Sequence, residues 1–479
     1  MQFNSIEFAI FLPTVFILYW FVFNYNLKHQ NAFLLLVSYI FYGWWDWRFL
    51  SLIIFSSSVD YLVGLGLGRT NIKSKRKLLV LTSICVNLGF LGFFKYFNFF
   101  AESFSDAFTL FGSKIEFSRL NIVLPVGISF YTFQTLSYTL DVYKRKFKPT
   151  KDIIAFFAFV GFFPQLVAGP IERARNLLPQ FSRKRRFEYS KAADGLRQIL
   201  WGLFKKIVIA DNCAVYANII FKNYTDYNGS TLLIGSIIFA IQIYCDFSGY
   251  SDIAIGTARL FGFNLMRNFA YPYFSRDIAE FWRRWHISLS TWFRDYLYIP
   301  LGGSRVGTWL KIRNTFIIFI VSGFWHGANW TFIIWGALNA IYFLPLLLSK
   351  KNRIHVNTVA EGRFFPNIKE LIQMGSTFLL TVLAWVFFRA ENITIAFKYL
   401  SKIFSASIIS APQIFPRIYM YILFFLIIEW LQRNKQHALE FTGTKYPKIL
   451  KWAVYYSVII IIYLTGNFAT KIEFIYFQF

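Results

Sequence analysis

Long apolar runs separated by short polar segments make up most of this chain. A membrane-spanning helix needs about 20 mostly apolar residues, and ten runs come close to that length: 6–23, 31–46, 48–67, 78–97, 121–142, 196–221, 231–262, 369–388, 417–432 and 450–466. A further run, 314–349, would extend over about 50 Å as one helix, beyond a hydrocarbon core of about 30 Å. We predict a helical hairpin there, and in total an all-α polytopic membrane protein of about 12 spanning helices.

Basic loops predict the orientation of these helices, because short loops rich in Lys and Arg stay in the cytoplasm. Four such loops cover residues 69–77, 144–151, 173–191 and 350–353. The loop 98–120, which carries Glu102, Asp106 and Glu116, is predicted to lie outside. Both termini are then extracytoplasmic, and 6–23 is predicted to be a retained first span because it lacks the features of a cleaved signal peptide.

Two segments do not fit a simple crossing. Segment 152–172 is apolar but has a cytoplasmic loop on each side, so we predict a re-entrant segment broken at PQLVAGP (164–170). Irregular backbone at that depth is tolerated only against protein or a water-filled cavity. Segment 276–305 alternates aromatic and charged residues, which is typical of an interfacial or cavity-lining helix. We expect a single membrane domain over residues 1–479.

Composition favours a membrane protein over a nucleic-acid-binding one. The chain is 56% hydrophobic and 15% charged, whereas a soluble domain has roughly 25% charged residues. Its net charge of +26 comes from Lys and Arg in short loops between apolar runs, the pattern that sets membrane orientation. We therefore expect a lipid bilayer as the partner and no nucleic acid.

Two of the five histidines are candidates for chemistry. His29, His355 and His437 lie in polar loops and are predicted to be solvated. His326, in SGFWHGANW (322–330), lies about 20 Å along a helix from the cytoplasmic edge, inside the membrane. An ionisable residue there is costly and indicates a functional site. The alternative is a neutral histidine that bonds across helices.

A histidine at that place suits acyl transfer. Attack on a thioester requires that the acceptor hydroxyl lose its proton, and a neutral imidazole accepts it at working pH. No metal is expected, because Cys85, Cys213 and Cys245 lie in apolar stretches without metal-ligand or disulfide spacing. Each cysteine is predicted to be a small buried residue.

A second candidate region surrounds His286, in FWRRWHISLS (281–290). Between residues 267 and 313 the chain has eight basic and three acidic residues. Arg283, Arg284 and Arg294 of this patch are candidate donor-binding residues for the phosphates of an acyl-CoA or for an acidic carrier protein. Ordinary positive-inside charge is the alternative.

Two acidic residues inside an apolar run, Asp246 and Asp252, complete the candidates. They either orient a histidine or a donor amide, or they bridge helices. Asp246 and Trp325, which is next to His326, are also candidate donor-binding residues.

Several long motifs are similar to the membrane-bound O-acyltransferase (MBOAT) family, in its bacterial alginate O-acetyltransferase branch. The matching segments are LPVGISFYTFQTLSYTLDVYK (124–144), FFPQLVAGPIERA (162–174), QIYCDFSGYSDIAIGTARLFGF (242–263), FWRRWHISLSTWFRDYLYIPLGGSR (281–305), SGFWHGANWTFIIWG (322–336), TFLLTVLAWVFFRAE (377–391) and FIYFQF (474–479). The resemblance runs from about residue 3 to the end of the chain.

The resemblance implies a ring of membrane helices around a funnel, with His326 at the family's catalytic position and His286 at its second histidine position. It implies an enzyme of the bacterial inner membrane that uses acetyl-CoA, or another acyl-CoA, as donor substrate and binds no cofactor. It also implies an extracytoplasmic partner acetyltransferase (SGNH type, AlgJ- or AlgX-like) and a polysaccharide acceptor.

Three alternatives stay open from the residues. One is D-alanyl transfer from a carrier protein to a cell-wall polymer, an activity of a related branch. Another is a transporter or flippase for a polysaccharide precursor, although the paired broken helices typical of transporters are not evident. The third is a scaffold that positions an extracytoplasmic enzyme. The polymer that is acylated stays open as well.

Overall fold

The structure is a computed structural model, and it describes residues 1–110, 112, 117–167, 169–413, 415–441, 446–468 and 474–475. Within these ranges the regular elements are helices, which confirms the predicted all-α fold. Glu116, Ala168 of the predicted re-entrant segment and the last four residues of FIYFQF lie outside the described residues.

The described chain contains twenty α-helices. The first nine are α1 Ile6–Ile17, α2 Leu27–Asp46, α3 Leu50–Arg69, α4 Lys73–Leu91, α5 Phe97–Leu110, α6 Ile128–Tyr143, α7 Ile153–Gly161, α8 Phe163–Leu166 and α9 Ala174–Phe181. The next are α10 Tyr189–Leu203, α11 Asp211–Lys222, α12 Gly229–Leu260, α13 Ile278–Arg284, α14 Ile287–Phe293, α15 Thr308–His326, α16 Trp330–Leu348, α17 Ile368–Arg389, α18 Ile393–Ile403, α19 Pro416–Leu431 and α20 Lys448–Thr465. Single π-helical stretches continue four of them, at Leu18–Val22, Gly92–Tyr96, Phe204–Ala210 and Arg294–Tyr298.

Helix length and composition identify a multi-pass membrane protein. Six helical stretches of the described chain are long and apolar enough to cross a membrane: Leu27–Arg69, Lys73–Thr109, Gly229–Leu260, Trp330–Leu348, Ile368–Arg389 and Lys448–Thr465. The apolar window of the last stretch is 6% buried, so nearly its whole surface is left for lipid. The exact number of spans stays a prediction.

The predicted span 121–142 begins too early. The helix in this region, α6, starts at Ile128, after Pro125 and after Gly127, which has a left-handed φ of 76°. A residue with that backbone is non-helical, and glycine adopts it without a steric penalty. Residues 121–127 are apolar but not helical, so the prediction from apolar length placed the start of the helix too early.

The chain forms two compact units, residues 1–192 with 257–265, and residues 193–256 with 266–479. In the first unit, α3, α4 and α6 share a buried polar cluster around Asp60. Its carboxylate accepts hydrogen bonds from Ser83, from Asn87 Nδ2 at 2.8 Å and from Thr139 Oγ1 at 2.9 Å. Hydrogen bonds of this kind hold helices together where no water is available.

Segment 152–172 contains two short helices. α7 has nine residues, about 14 Å of helix, which is half the thickness of a hydrocarbon core. The chain breaks at Phe162 (φ −53°, ψ 105°), where α8 begins. Phe156 and Phe159 are fully buried in protein. A re-entrant course stays a prediction.

In the second unit, segment 276–305 differs from the single helix that we expected. α13 and α14 are separated by His286, whose backbone is left-handed with φ 41° and ψ 56°. A non-glycine residue in this region is strained and breaks a helix. Such backbone strain is concentrated at functional positions.

Within the apolar run 314–349, α15 and α16 lie in close contact. A Cβ atom at Gly323 would overlap the carbonyl oxygen of Phe332, and one at Gly336 would overlap the carbonyl oxygen of Phe319. The two glycines therefore allow the helix backbones to touch. That contact determines where the turn between the helices lies.

Candidate active site

His326 is the last residue of α15 and lies in an aromatic pocket. Gly327 continues in extended backbone, and Asn329 caps α16 by accepting a hydrogen bond from Thr331 N at 3.0 Å. The Asn329 side chain also donates to the carbonyl of Glu391 at 2.8 Å. The side chain of Asn329 therefore fixes the turn that follows His326.

Aromatic rings from three helices surround the His326 imidazole. Its centroid lies 4.9 Å from the ring of Trp325, 5.2 Å from that of Trp335 and 5.3 Å from that of Phe388. The residue is 3% exposed. Packing among these rings positions an imidazole, the side chain that most often serves as a general base.

His286 is held by an asparagine that is distant in sequence. Its Nδ1 lies 3.1 Å from Asn268 Oδ1, and its ring packs edge-on against Phe247 at 4.6 Å. Asn268 itself is fully buried. Burial also lowers the pKa of His286 to about 3, so this imidazole is neutral at physiological pH.

The hydrogen bonds of Asn268 determine the tautomer of His286. The backbone N–H of Ser288, which is always a donor, points at Asn268 Oδ1 at 3.2 Å, and the Ser288 hydroxyl donates to the same atom at 2.9 Å. The amide nitrogen donates to Ser251 Oγ at 3.1 Å. Because Asn268 Oδ1 accepts these bonds, it is also an acceptor toward His286, and His286 Nδ1 must carry the proton. The lone pair of the neutral ring is therefore on Nε2.

The indole of Trp325 connects the two histidines. Its ring lies 4.9 Å from His326 and 6.1 Å from His286, centroid to centroid. The fold thus brings together two histidines and the tryptophan that we had included beside one of them. We call His286, Trp325, His326, Trp335 and Phe388 the histidine site.

The predicted donor-binding arginines have different environments. Arg283 donates to the carbonyls of Asn352 at 2.8 Å and of His355 at 2.6 Å. Arg284 forms an ion pair with Glu280 at 2.8 Å. Arg283 therefore ties α13 to the segment that follows α16, whereas the ion pair of Arg284 lies within α13. These contacts favour a structural role for both arginines.

The third arginine, Arg294, is exposed. Its side chain is 58% exposed and pairs with Asp295. It lines a cavity of 340 Å³ whose other basic residues are Lys311, Lys350 and Arg353. Donor binding stays a prediction for all three arginines, and the cavity supports it for Arg294.

Asp246 and Asp252 pair with lysines that we did not predict. Lys206 lies 2.8 Å from Asp246 and 2.8 Å from Asp211. Lys205 lies 2.6 Å from Asp252. We call these five residues the lysine–aspartate cluster. The contacts support the helix-bridging interpretation, and the donor-binding role of Asp246 stays a prediction.

The sequence contained a signal for this cluster. Lys205 and Lys206 are adjacent in the apolar run FKKIVIAD (204–211), and both are buried. The expectation that basic residues lie in loops is therefore wrong for these two. Charged residues within an apolar run are costly and require a partner, which here is an aspartate.

Two further predictions about single residues need correction. His437 is buried and its Nε2 lies 3.2 Å from Asp194 Oδ1, so the prediction of a solvated side chain is wrong. His29 is exposed and His355 is partly buried. Cys213 and Cys245 are buried as predicted, whereas Cys85 is exposed.

A small polar cavity adjoins Asn268. Its volume is about 20 Å³ and its lining includes Lys205, Ser251, Asp252, Asn268 and Glu429. A cavity of that size has room for about one water molecule. It connects the residue that orients His286 to the buried charges.

Comparison with known proteins gives a consistent result. The sequence model of the family described as "MBOAT, membrane-bound O-acyltransferase family" matches residues 147–384. The chain is 41% identical over 408 residues to the "Probable alginate O-acetylase AlgI" of Pseudomonas aeruginosa, covering 85% of this chain and 75% of the relative.

Two other relatives have names that state different activities. The "Peptidoglycan O-acetyltransferase" of Helicobacter pylori is 36% identical over 418 residues, covering 81% of this chain and 77% of the relative. The "Teichoic acid D-alanyltransferase" of Bacillus subtilis is 28% identical over 234 residues, covering 46% of this chain and 58% of the relative.

Proposed function

Because the chain belongs to the membrane-bound O-acyltransferase family, and is therefore a multi-pass membrane enzyme that transfers acyl groups to oxygen, we propose that it moves acetyl groups from acetyl-CoA to a polysaccharide. The relatives whose names specify alginate and peptidoglycan O-acetylation support this acceptor class. The donor enters from the cytoplasm and the acceptor lies outside the inner membrane of a bacterium. An extracytoplasmic partner acetyltransferase of the SGNH type (AlgJ- or AlgX-like) receives the acetyl group.

The observation that carries the proposal is the position of His326. It ends α15 at a turn fixed by Asn329, and its imidazole lies among three aromatic rings. A histidine that ends a helix and packs among aromatic rings is suited to act as a general base. We assign to His326 the removal of the proton from the acceptor hydroxyl.

The reaction balances without a metal or a bound cofactor. The acceptor oxygen forms a bond to the thioester carbonyl carbon while the His326 imidazole takes the hydroxyl proton. The carbon–sulfur bond then breaks, and the leaving CoA thiolate receives that proton from the imidazolium. The histidine ends each cycle in its neutral form.

His286 is assigned a role on the donor side of the same site. Its Nδ1 donates a hydrogen bond to Asn268 Oδ1 at 3.1 Å. Nε2 is therefore the ring atom that accepts a hydrogen bond from the acyl-CoA donor. Both imidazoles contact the Trp325 indole. A thioester held against that ring would lie beside both histidines.

Arg294 is the arginine that we assign to the CoA phosphates. It lines a cavity together with Lys311, Lys350 and Arg353, and a cluster of basic groups suits phosphate recognition. Arg283 and Arg284 act instead by fixing α13.

The similarity to a teichoic acid D-alanyltransferase favours one competing activity, transfer of a D-alanyl group from a carrier protein. The transporter alternative is not supported, because the relatives named above are transferases.

Inside-out membrane vesicles test the proposal, because they expose the cytoplasmic face to added donor. With acetyl-CoA radiolabelled in its acetyl group, we expect label to reach an acceptor inside the vesicle. His326→Ala should reduce the rate by about 10²–10⁴-fold, the usual contribution of a general base. A parallel assay with a D-alanylated carrier protein distinguishes the competing activity.

His29→Ala is the matched control, because His29 is exposed. It should leave the labelling rate unchanged. Wild-type labelling by a His326→Ala protein that is present in the membrane at the normal level would overturn the assignment.

A further inference from the structure

The first unit contains a cavity, unused by the proposed function, in which six of the described lining residues are basic. Its volume is 540 Å³. The basic residues that line it are Arg183, Lys184, Arg185, Arg186, Lys191 and Arg259. Glu188 is the acidic residue that the described part of the chain contributes to its lining. We call this the basic cavity.

Hydrogen bonds fix the walls of the basic cavity. Gln180 Nε2 donates to the carbonyl of Asn264 at 3.0 Å, and Asn264 N donates back to Gln180 Oε1 at 2.9 Å. Trp20 Nε1 donates to the carbonyl of Leu260 at 2.9 Å. The segment that carries the arginines is thus clamped to the turn after α12. The cavity is a defined shape and not a gap beside a loose loop.

One of the arginines is part of the fold. Arg185 is 5% exposed. Its guanidinium donates to Gln30 Oε1 at 3.0 Å and to Asn31 Oδ1 at 2.6 Å, and it stacks on the ring of Phe263 at 4.8 Å. By holding the middle of the segment, Arg185 directs its sequence neighbours into the cavity lining.

The other basic residues of the cavity differ in whether they have an acidic partner. Glu188 is paired with Lys191 at 2.9 Å. Among the described residues, Arg183, Lys184 and Arg186 have no carboxylate within ion-pair distance, and all three are exposed. Three cations held this close together repel one another, and an anion in the cavity would relieve that repulsion.

The positive-inside rule explains why basic residues occur in this loop. It does not explain why they line a concave and rigid cavity that contains almost no acid. Arginine presents a planar fork of donors that matches the oxygens of a phosphoryl group. Asn176, which also lines the cavity, adds an amide donor. We propose that the basic cavity binds a phosphoryl group.

The size and rim of the cavity define the ligand further. Ligand sites of about 300–1,000 Å³ hold molecules larger than a single ion. Trp20 and Phe187 also line the cavity, and aromatic side chains of this kind are typical of the membrane–water interface. The phosphoryl group belongs to the head group of an anionic phospholipid or to a soluble phosphate compound.

Two probes distinguish these sources. Native mass spectrometry of the full-length protein measures retention of phosphatidylglycerol, with phosphatidylcholine as reference. Calorimetry in detergent measures binding of inorganic pyrophosphate. We expect the triple variant Arg183→Gln, Lys184→Gln, Arg186→Gln to weaken binding of at least one probe by about tenfold or more, because each basic residue near an anionic surface contributes about a factor of five. Loss of phosphatidylglycerol indicates the lipid source, and loss of pyrophosphate the soluble one.

The matched control is Lys73→Gln, Lys75→Gln, Lys77→Gln. These lysines are also exposed, belong to the same unit and lie outside the cavity lining. Their removal changes net charge equally, and we expect less than a twofold effect. Equal weakening by both triples, an unchanged affinity in the cavity triple, or no binding of either probe by the wild-type protein overturns the proposal. The single variant Arg186→Gln, with an expected loss of about fivefold, provides the same test if the triple is poorly expressed.

Discussion

The histidine site and the lysine–aspartate cluster are both buried in the second unit, yet their chemistry is opposite. His326 lies among the rings of Trp325, Trp335 and Phe388. Lys206, in contrast, lies 2.8 Å from each of two carboxylates. A buried charge with opposite charges around it holds helices together, whereas an imidazole is a group that can take up and release a proton.

This difference shows which buried polar groups have chemical roles. Helix association alone explains the lysine–aspartate cluster, because each of its carboxylates contacts a lysine. It does not explain the strained backbone of His286, with φ 41°, or the placement of two histidines on one indole. Strain that the fold maintains beside an ionisable side chain is typical of catalytic sites.

The largest expected effect on folding tests the structural half of this comparison. Lys206→Met leaves Asp211 and Asp246 buried without their shared cation. Breaking a buried ion pair in this way costs about 3–5 kcal/mol, so we expect a large fall in thermal midpoint and in membrane level. Fluorescence-detected size-exclusion chromatography after heating measures both.

Two variants sharpen that experiment. Lys222→Met removes an exposed lysine of α11 and should leave the thermal midpoint unchanged. Adding Asp211→Asn and Asp246→Asn to Lys206→Met removes the uncompensated charges and should restore part of the stability. If Lys206→Met instead retained normal stability but lost activity, the cluster would belong to the catalytic machinery and the comparison would fail.

The helical, multi-pass fold was predictable because apolar length is a local property of the sequence. The histidine site was predictable in part, since His326 stands out as a histidine within an apolar run. Burial of His437 was not predictable, because it depends on Asp194, 243 positions away. A polar segment indicates solvent unless a distant partner covers it.

Asn268 shows the same limit within the candidate site. It lies in the irregular segment between α12 and α13, where no periodicity identifies a contact. Its hydrogen bonds to His286 and Ser251 arise from the three-dimensional fold. Lys206 and Asp246 are likewise 40 positions apart in the chain. A lysine within an apolar run indicates that a partner is needed, but the residues around it do not indicate which aspartate is that partner.

An intermediate effect tests the chemical half of the comparison. Asn268→Leu removes the acceptor that holds the Nδ1 proton of His286. Loss of a partner that orients an active-site histidine lowers activity by about 10–100-fold, and we expect kcat to fall more than KM changes. Nitrogen NMR of histidine-labelled protein should show that the His286 ring is no longer confined to the Nδ1-protonated tautomer.

Ser290→Ala is the control for Asn268→Leu, because it removes a nearby hydroxyl that donates to the carbonyl of Trp285 and leaves the contact between Asn268 and His286 in place. Its activity should stay within about threefold of wild type, the effect of one neutral hydrogen bond. Asn268→Leu with normal kcat and an unchanged ring spectrum would remove the positioning role. If activity fell while the tautomer was unchanged, Asn268 would be a structural residue.

The smallest expected effect concerns the exposed edge of the second unit. Arg294 is 58% exposed, and an exposed charge pair contributes up to about 1 kcal/mol because water screens it. Arg294→Gln should therefore raise KM for acetyl-CoA about two- to fivefold with little change in kcat. Acetyl-CoA lacking the 3′-phosphate is the informative second donor, since the variant should discriminate between the two donors less than the wild-type enzyme does.

Arg305→Gln, which also removes an exposed arginine but lies outside the cavity lining, should leave both KM values unchanged. Equal changes in the two arginine variants would show that overall charge, and not a phosphate contact at Arg294, attracts the donor.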